Sequence, residues 1–190
     1  MTSPQSSAPR SSRADAQRSY RRIVEAAAAV FLRDGAEASL EEIARTAGVG
    51  SATLHRHFSS RWALLDAVFA GGIDDLRALA DDLLRDSGPD ALFAWLRSVC
   101  DYCTATRGLA AALLQSGDQK QRASSVCHQT LVHAGAALLD RARDAGRVRP
   151  DVTITDLLTL VSAIALAAEC APADGARLVN LAIDGVRGNR

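Results

Sequence analysis

The segment from residue 39 to residue 58 constrains the fold of this chain more than any other part of its sequence. Ser39 and Glu42 have the spacing of a capping box, in which side chains satisfy free backbone N–H groups, so we predict that a helix begins at Leu40. Because glycine adopts the left-handed conformation without strain, Gly48 is predicted to end that helix. The apolar residues of this helix recur at spacings of three and four: Leu40, Ile43, Ala44 and Ala47.

A second short helix is predicted directly after the turn at residues 47–50, with Gly50 or Ser51 as its amino-terminal cap. Leu54 and Phe58 are four residues apart, so they lie on one side of this helix. Two helices joined by a turn of three or four residues form a helix-turn-helix, whose second helix enters the major groove of DNA. The side turned away from the core is polar and basic, and consists of Ser51, Thr53, His55, Arg56 and His57.

The preceding segment, residues 18–34, predicts a third helix that completes a small core. Its apolar residues form one stripe, and Gly35 follows the last turn as a helix terminator. The stripe consists of Ile23, Ala27, Val30 and Phe31.

In this order, the features resemble the amino-terminal DNA-binding domain of TetR-type transcriptional regulators, the TetR/AcrR family. The resemblance implies that a helical domain for ligand binding and dimerisation follows. It also implies a repressor that a small molecule releases from DNA. The residues that carry the resemblance are Ile23, Ala27, Phe31, Gly35, Ser39, Leu40, Ile43, Ala44, residues 47–49, residues 53–58, Arg61, Leu64 and Leu65.

The chain departs from the usual pattern of that family at three positions. His55 stands where tyrosine is most common, Gly50 replaces a Ser or Thr cap, and Arg61 replaces lysine. An imidazole can also donate to a phosphate, but its charge depends on pH. These departures concern individual phosphate contacts and leave the predicted fold unchanged.

The predicted DNA-binding side chains fall into two groups. Arg56 and Ser51 are the predicted base readers, since arginine pairs bidentately with guanine. For His57, helix capping or packing is an equal alternative to a DNA contact. The second group is predicted to contact phosphates or groove edges, which sets register without reading sequence, and consists of Ser39, Thr53, His55, His57 and Arg61.

Composition predicts an all-α protein of about nine helices. The 190 residues are 48% hydrophobic and 4% aromatic, and alanine and leucine dominate, which favours helix over strand. The predicted units are a flexible arm (1–17), a three-helix DNA-binding domain (18–78) and a helical effector-binding and dimerisation domain (79–190). In the arm, Arg10 and Arg13 could enter a minor groove, but we favour an unconstrained tail.

The net charge is zero overall but is unevenly distributed. Residues 1–62 carry nine arginines against six acidic residues, which gives +3, and the remainder carries the balancing −3. A basic head on an acidic body favours DNA as a partner, with an affinity that falls as salt rises. No run of 18 apolar residues and no apolar signal core occur, so we expect a cytoplasmic protein without a membrane partner.

Beyond the motif, apolar periodicity predicts a series of helices. In the first of them, the pair Gly71-Gly72 either allows bending or allows close packing of a neighbouring helix, and we weigh the two equally. A later helix begins at Thr153 or Thr155. The predicted ranges are 60–86, 91–107, 108–115, 118–145, 154–171 and 173–186.

The predicted helix over residues 154–171 is apolar on nearly all sides and must be covered on every side. Together with the last helix, it is predicted to dock on the same pair of a second subunit, as a four-helix homodimer interface. Such a dimer would place two recognition helices in successive major grooves of a palindromic operator, about 34–36 Å apart. The predicted interface residues are Leu157, Leu160, Val161, Ile164, Ala168, Leu178 and Leu181.

An unknown small-molecule effector is predicted to bind among the helices of the second domain. An apolar pocket with a few polar groups would suit such a ligand, although a filled core is the alternative. The candidate lining residues are Trp95, Val99, Tyr102, Leu113, Leu114 and His128.

The cysteines provide an alternative, a thiol- or metal-responsive regulator. Cys100 and Cys103 share a helix face, and Cys127, His128 and His133 could come near them. We favour the simpler view that these cysteines are reduced, buried hydrophobes. No catalytic triad, phosphate loop or metal-ligand spacing is present, so we predict no enzyme, no metal and no cofactor. A redox enzyme or a helical sequestering protein would leave the exposed basic helix unexplained.

Overall fold

The computed structural model describes residues 9–35, 37–106, 126–168 and 172–188. Within these ranges the chain is mainly helical, and its β-type pairing is an isolated bridge between Val148 and Arg187. The predicted all-α class is therefore confirmed, while the predicted helix at residues 108–115 lies outside the described residues. The described helices are α1 (Pro9–Asp34), α2 (Leu40–Thr46), α3 (Ser51–His57), α4 (Arg61–Asp86), α5 (Ala91–Ala105), α6 (Val126–Asp144), α7 (Ile154–Ala168) and α8 (Pro172–Val186).

The start of α1 differs from the prediction. The helix begins at Pro9, whereas the sequence pattern predicted its start at Arg18 and a flexible arm before it. Proline is tolerated in the first turn of a helix, and residues 10–17 contain no glycine or further proline that would end it. Arg18 pairs with Asp15 one turn earlier, and the side chains of residues 13–18 are exposed. The apolar stripe begins only after this extension, which is why periodicity missed it; residues 1–8 lie outside the described part.

The head of the molecule is formed by α1, α2, α3 and the first turns of α4. The stripes predicted for its three helices are confirmed as its core, except that Leu40 is half-buried. This core continues into the rest of the molecule through Leu64, Leu65 and Phe69 of α4. Its other buried members are Ile23, Ala26, Ala27, Val30, Phe31, Ala38, Ile43, Ala44, Ala47, Leu54 and Phe58.

The body is formed by the remainder of α4 and by α5 to α8. Trp95 of α5 is fully buried and donates its indole N–H to the carbonyl oxygen of Leu76, at 2.9 Å. Gly135 of α6 lies against Trp95 and Ile154, where a Cβ atom would be 2.4 Å from the Ile154 side chain. α5 is therefore the central helix of the body, enclosed by α4, α6, α7 and α8.

The Gly71-Gly72 pair lies inside an uninterrupted α4. A Cβ atom on Gly72 would be 2.2 Å from the ring of Tyr102 on α5, whereas one on Gly71 would meet nothing within 4 Å. Tyr102 also donates its hydroxyl hydrogen bond to the carbonyl oxygen of Phe69, at 3.3 Å. Of the two roles weighed for the pair, close helix packing is the one observed at Gly72.

α7 begins after Thr153, and not after Thr155. Thr153 Oγ1 accepts a hydrogen bond from the backbone N–H of Asp156, and the Asp156 carboxylate accepts one from the backbone N–H of Thr153. This reciprocal pair is a capping box, which satisfies two backbone donors at the start of the helix. None of the described helices is long and apolar enough to cross a membrane.

Candidate nucleic-acid interface

The turn between α2 and α3 has the geometry that its glycine predicts. Gly48 has φ +63°, and its N–H donates to the carbonyl oxygen of Arg45, at 3.1 Å. The N–H of Val49 donates to the carbonyl oxygen of Ala44, at 3.0 Å. These two bonds form a Schellman motif, which satisfies the last carbonyl groups of α2 and reverses the chain. Gly50 then becomes the amino-terminal cap of α3.

The amino-terminal end of α2 is held by half of the predicted capping box. Ser39 Oγ accepts a hydrogen bond from the N–H of Glu42, at 3.4 Å. The Glu42 carboxylate is directed to α1, where it forms an ion pair with Arg33 at 2.6 Å. Ser39 therefore has a structural role at this position, and Glu42 links α2 to the first helix.

α3 presents its polar face to solvent. Leu54 is 1% exposed and Phe58 is 4% exposed, so these two residues fix α3 on the core of the head. Ser51, His55 and Arg56 are exposed, whereas Thr53 and His57 are half-buried. The predicted outward face is thus present, although two of its five residues lie at the edge of the core.

Arg56 is the cation best placed for recognition on this face. It lies near the carboxyl end of α3, a helix without acidic residues, and its side chain is exposed. Arg56 has no ion-pair partner among the residues that the structure describes. A guanidinium in this state is available for bidentate hydrogen bonds to a guanine edge or a phosphate.

Tyr20 is a component of the head that our sequence reading missed. Its ring stacks on Phe58 with centroids 5.1 Å apart, and it meets the edge of His57 at 6.2 Å. Tyr20 lies three residues before Ile23, so an extension of the apolar stripe of α1 by one turn would have found it. The contact fixes the carboxyl end of α3 against α1, and it gives His57 the packing role that we weighed as an alternative.

Arg61 begins α4 and is partly buried. Its guanidinium donates a hydrogen bond to the carbonyl oxygen of Ala38, just before α2. Ser60 caps the same helix, since its Oγ accepts from the N–H of Ala63 at 3.1 Å. Arg61 therefore links α4 to the helix-turn-helix. The sequence predicted a phosphate contact for Arg61 and did not predict this structural role.

The predicted effector-lining residues occupy different environments in the described part of the chain. Trp95 and Val99 are fully buried in the filled core of the body, and His128 is half-buried on α6. Leu113 and Leu114 lie outside the described residues. Tyr102 lines a groove of about 270 Å³ between head and body. The other residues around that groove are Ala28, Phe31, Leu32, Val68, Phe69, Ala105 and Thr106.

The described cysteines have the properties of core residues. Cys100, Cys103 and Cys127 are buried, and burial raises the pKa of each thiol, that of Cys103 to about 12. A thiol with a raised pKa forms little of the reactive thiolate near neutral pH. Among the described residues, no group of three or more His, Cys, Asp or Glu side chains could hold a metal ion. Nothing in this region favours the thiol- or metal-responsive alternative.

The predicted dimer residues divide between the interior and the surface of the single chain. Leu157, Val161 and Ala168 are buried inside the body, so their side chains are not on the surface. Leu160 and Leu181 are exposed, and Ile164 and Leu178 are half-buried. The apolar character of α7 therefore has two causes, an inner face that packs on the body and an outer face that is uncovered in one chain.

Two family models match the chain. The model for bacterial regulatory proteins of the tetR family matches residues 23–68, and the model for the SbtR-like transcriptional regulator C-terminal domain matches residues 88–188. A comparison with curated proteins found no match.

Solved structures give similar results. A TetR transcriptional regulator from Streptomyces coelicolor is 36% identical, with a TM-score of 0.55, over 90% of this chain and 99% of that chain. FadR from Bacillus subtilis, in complex with stearoyl-CoA, is 15% identical with a TM-score of 0.64, over 87% of this chain and 96% of that one. FadR from Thermus thermophilus, in complex with lauroyl-CoA, is 22% identical with a TM-score of 0.63, over 85% and 89%.

The two FadR structures are 15% and 22% identical to this chain, so their similarity shows the fold alone. The family models and the 36% identical regulator from Streptomyces coelicolor also show the family. The SbtR-like domain model alone matches over half of the chain. Together with the helix-turn-helix geometry of α2 and α3, these matches identify the chain as a member of the TetR family of DNA-binding transcriptional regulators.

Proposed function

We propose that this TetR-family regulator is a homodimeric repressor that reads a palindromic operator and is released from it by a small-molecule effector. The single observation that carries the proposal is the exposed guanidinium of Arg56, which forms no ion pair with any described residue, on a helix that Leu54 and Phe58 anchor. An anchored helix holds its side chains in a fixed geometry, and fixed geometry is what base recognition requires.

The side chains of the head have separate tasks in this proposal. Arg56 and Ser51 read base edges, and His55 contacts the phosphate backbone from the same exposed face. Thr53, at the edge of the core, reaches a phosphate near the amino end of α3. Ser39, His57 and Arg61 contact phosphates at most as a second role, because each has a structural role within the head.

The dimer forms through the outer faces of α7 and α8. Leu160 and Leu181 are 39% and 58% exposed in one chain, and large apolar side chains at a surface favour association. Residues 160, 163, 164 and 167 have the spacing of one helical stripe, and Ala163 and Ala167 are small enough for close approach of a second helix. The proposed interface therefore consists of Leu160, Ala163, Ile164, Ala167, Leu178 and Leu181. It leaves out Leu157, Val161 and Ala168 of the sequence prediction, because these residues are buried in the single chain.

The effector binds in the body or at its junction with the head. The groove beside Tyr102 is lined mainly by apolar side chains, together with the hydroxyl-bearing Tyr102 and Thr106, which suits a small, mostly apolar molecule. The FadR proteins named above have this fold and are complexes with acyl-CoA, which supports a ligand-binding body without indicating which ligand this chain takes. An effector would act by binding more tightly to a head spacing that does not fit the operator.

The test is selection of duplexes from a random DNA pool with the purified full chain at low ionic strength. We expect enrichment of a palindrome whose half-sites are separated by about 10–10.5 base pairs or a multiple of that spacing. Sedimentation of the same preparation should show a dimer. Recovery of no preferred sequence, or of a single half-site bound by a monomer, would contradict the proposal.

A further inference from the structure

α4 and α6 run in the same direction along the body and are joined at both ends by side-chain contacts to backbone. Near the head, the Asp66 carboxylate of α4 accepts hydrogen bonds from the N–H groups of Val126 and Cys127, at 3.2 and 3.4 Å. These are the first two described residues of α6. A carboxylate at this end of a helix also interacts favourably with the helix dipole.

The other end of the pair has the complementary arrangement. The Arg141 guanidinium of α6 donates to the carbonyl oxygen of Ser87 at 2.8 Å, and to those of Leu83 and Leu84. These carbonyl groups belong to the last turn of α4 and its cap, where a helix runs out of backbone donors; that of Leu83 also accepts the N–H of Ser87. Each helix therefore supplies the charged side chain that caps the other one.

The first of these contacts lies close to the DNA-reading head. Leu64 and Leu65 at the start of α4 are buried in the core of the head, and Arg61 is bonded to Ala38 before α2. Asp66 follows directly, so the body holds α4 within about one turn of the point where the head holds it. The second contact is 18 residues further on, at Leu84, which corresponds to about 27 Å of helix.

A helix that is held at two separated points resists sliding along its neighbour and rotating against it. For a dimeric DNA-binding protein, this matters because both heads must meet half-sites at one fixed separation. If α4 were free to shift, each head would have to be ordered when the dimer binds, and binding to two half-sites at once would weaken.

We propose that Asp66 and Arg141 are positioning residues for operator binding, which fix α4 to α6 so that the two heads of the dimer are held at the operator spacing. The proposal rests on the function proposed above. Neither residue touches DNA in this view. Their contribution is to the simultaneous binding of two half-sites and not to the affinity of one head for one half-site.

The test compares binding to the selected palindrome with binding to the same duplex in which one half-site is scrambled. We expect Asp66→Ala and Arg141→Met to weaken palindrome binding by about tenfold, because preorganisation is lost, and to change single half-site binding by less than about twofold. Methionine keeps the aliphatic part of the arginine side chain. A purely stabilising role would lower both affinities by the same factor, through the folded fraction.

Two matched controls lie on the exposed side of α4. Asp82 and Arg85 pair with each other within that helix and are exposed. Asp82→Ala and Arg85→Met therefore remove a carboxylate and a guanidinium, as the test variants do, without affecting a contact between helices. We expect both controls to leave the ratio of the two affinities unchanged. Equal effects of test and control variants, or a test variant that leaves the ratio unchanged, would overturn the proposal.

Hydrogen exchange on the wild-type chain tests the contact without any variant. The amides of Val126 and Cys127 should exchange more slowly than those of exposed, unbonded backbone, because Asp66 accepts their hydrogen bonds. Exchange at the unprotected rate would overturn the proposal. If the wild-type chain shows no preference for a palindrome, the proposed function fails, while the exchange rates still decide whether the contact exists.

Discussion

At the scale of single residues, a side chain in this protein is defined by which face of its helix it occupies. Leu54 and Arg56 are two positions apart on α3, yet the first is 1% exposed and the second is on the exposed surface. The apolar residue fixes the helix and the polar one is presented by it. In the proposed function, recognition and stability therefore depend on different residues of the same seven-residue element.

Arg56→Ala tests the assigned base reader. We expect loss of preference for the selected operator over unrelated duplex, by about 1–3 kcal/mol, because a bidentate contact to guanine is removed. Competition binding at fixed salt measures the preference. Arg85→Ala, at the far end of α4, is the control and should keep it; an Arg56 variant that discriminates as well as the wild type would refute the assignment.

The buried thiols make a second prediction at this scale. Because burial raises the pKa of Cys100, Cys103 and Cys127, each contributes less thiolate at pH 8 than an exposed cysteine does. The folded chain should therefore react slowly with iodoacetamide at these positions, and urea should remove the protection. Mass spectrometry of the peptides after timed quenching gives the rates, and fast labelling in the folded chain would revive a thiol-sensing role.

At the scale of elements, local sequence signals set where a helix begins and ends, and close contacts between helices set how they pack. The Schellman turn at Gly48 and the capping box at Thr153 depend on residues a few positions apart. The close packing at Gly72, in contrast, depends on the ring of Tyr102, which is 30 positions away and on a different helix. Two adjacent glycines in the same helix consequently have different tolerance to substitution.

Gly71→Ala and Gly72→Ala form a matched pair. Alanine at Gly71 meets no atom within 4 Å, so the gain in helix propensity should stabilise the chain by up to about 1 kcal/mol. Alanine at Gly72 must displace the Tyr102 ring, so we expect it to be less stable than Gly71→Ala by about 1–3 kcal/mol.

Urea unfolding of both variants measures the difference. Repeating the comparison in a Tyr102→Ala background should remove most of the difference in stability, because the ring no longer lies against residue 72. Equal stability of the two glycine variants, with Tyr102 intact, would show that the ring moves aside without cost.

At the scale of the whole molecule, charge and apolar surface lie at different places. The basic excess lies in residues 1–62, the segment that contains the helix-turn-helix, and the uncovered apolar side chains of α7 and α8 lie in the body. In the proposed function, an electrostatic contribution to DNA binding and an apolar contribution to dimerisation can therefore be changed separately.

Leu181→Arg tests the dimer surface. A charge at the centre of an apolar interface must be desolvated, so we expect monomers in sedimentation and much weaker operator binding. Leu32→Arg is a matched control, because Leu32 is 57% exposed and Leu181 is 58% exposed, but Leu32 lies on α1 of the head. A Leu181 variant that remains dimeric, or a Leu32 variant that dissociates, would place the interface elsewhere.

The sequence alone determined the class of fold, the limits of most helices and the presence of the helix-turn-helix. Caps such as Ser39, terminators such as Gly48 and stripes such as Leu54 with Phe58 act over one or two turns, so the linear chain carries them completely. The sequence pattern did not predict the start of α1 at Pro9, because an exposed helix without an apolar face has no periodic signal.

Only the tertiary structure decided which apolar residues face inward and which charged residues join distant helices. Leu157 and Leu160 look alike in the sequence of α7, and packing on the body alone separates the buried residue from the exposed one. The contacts of Asp66 with α6 and of Arg141 with α4 bridge 54 to 61 positions, and no local pattern encodes them. Periodicity establishes that a face exists, but its partner is set by the arrangement of the helices in space.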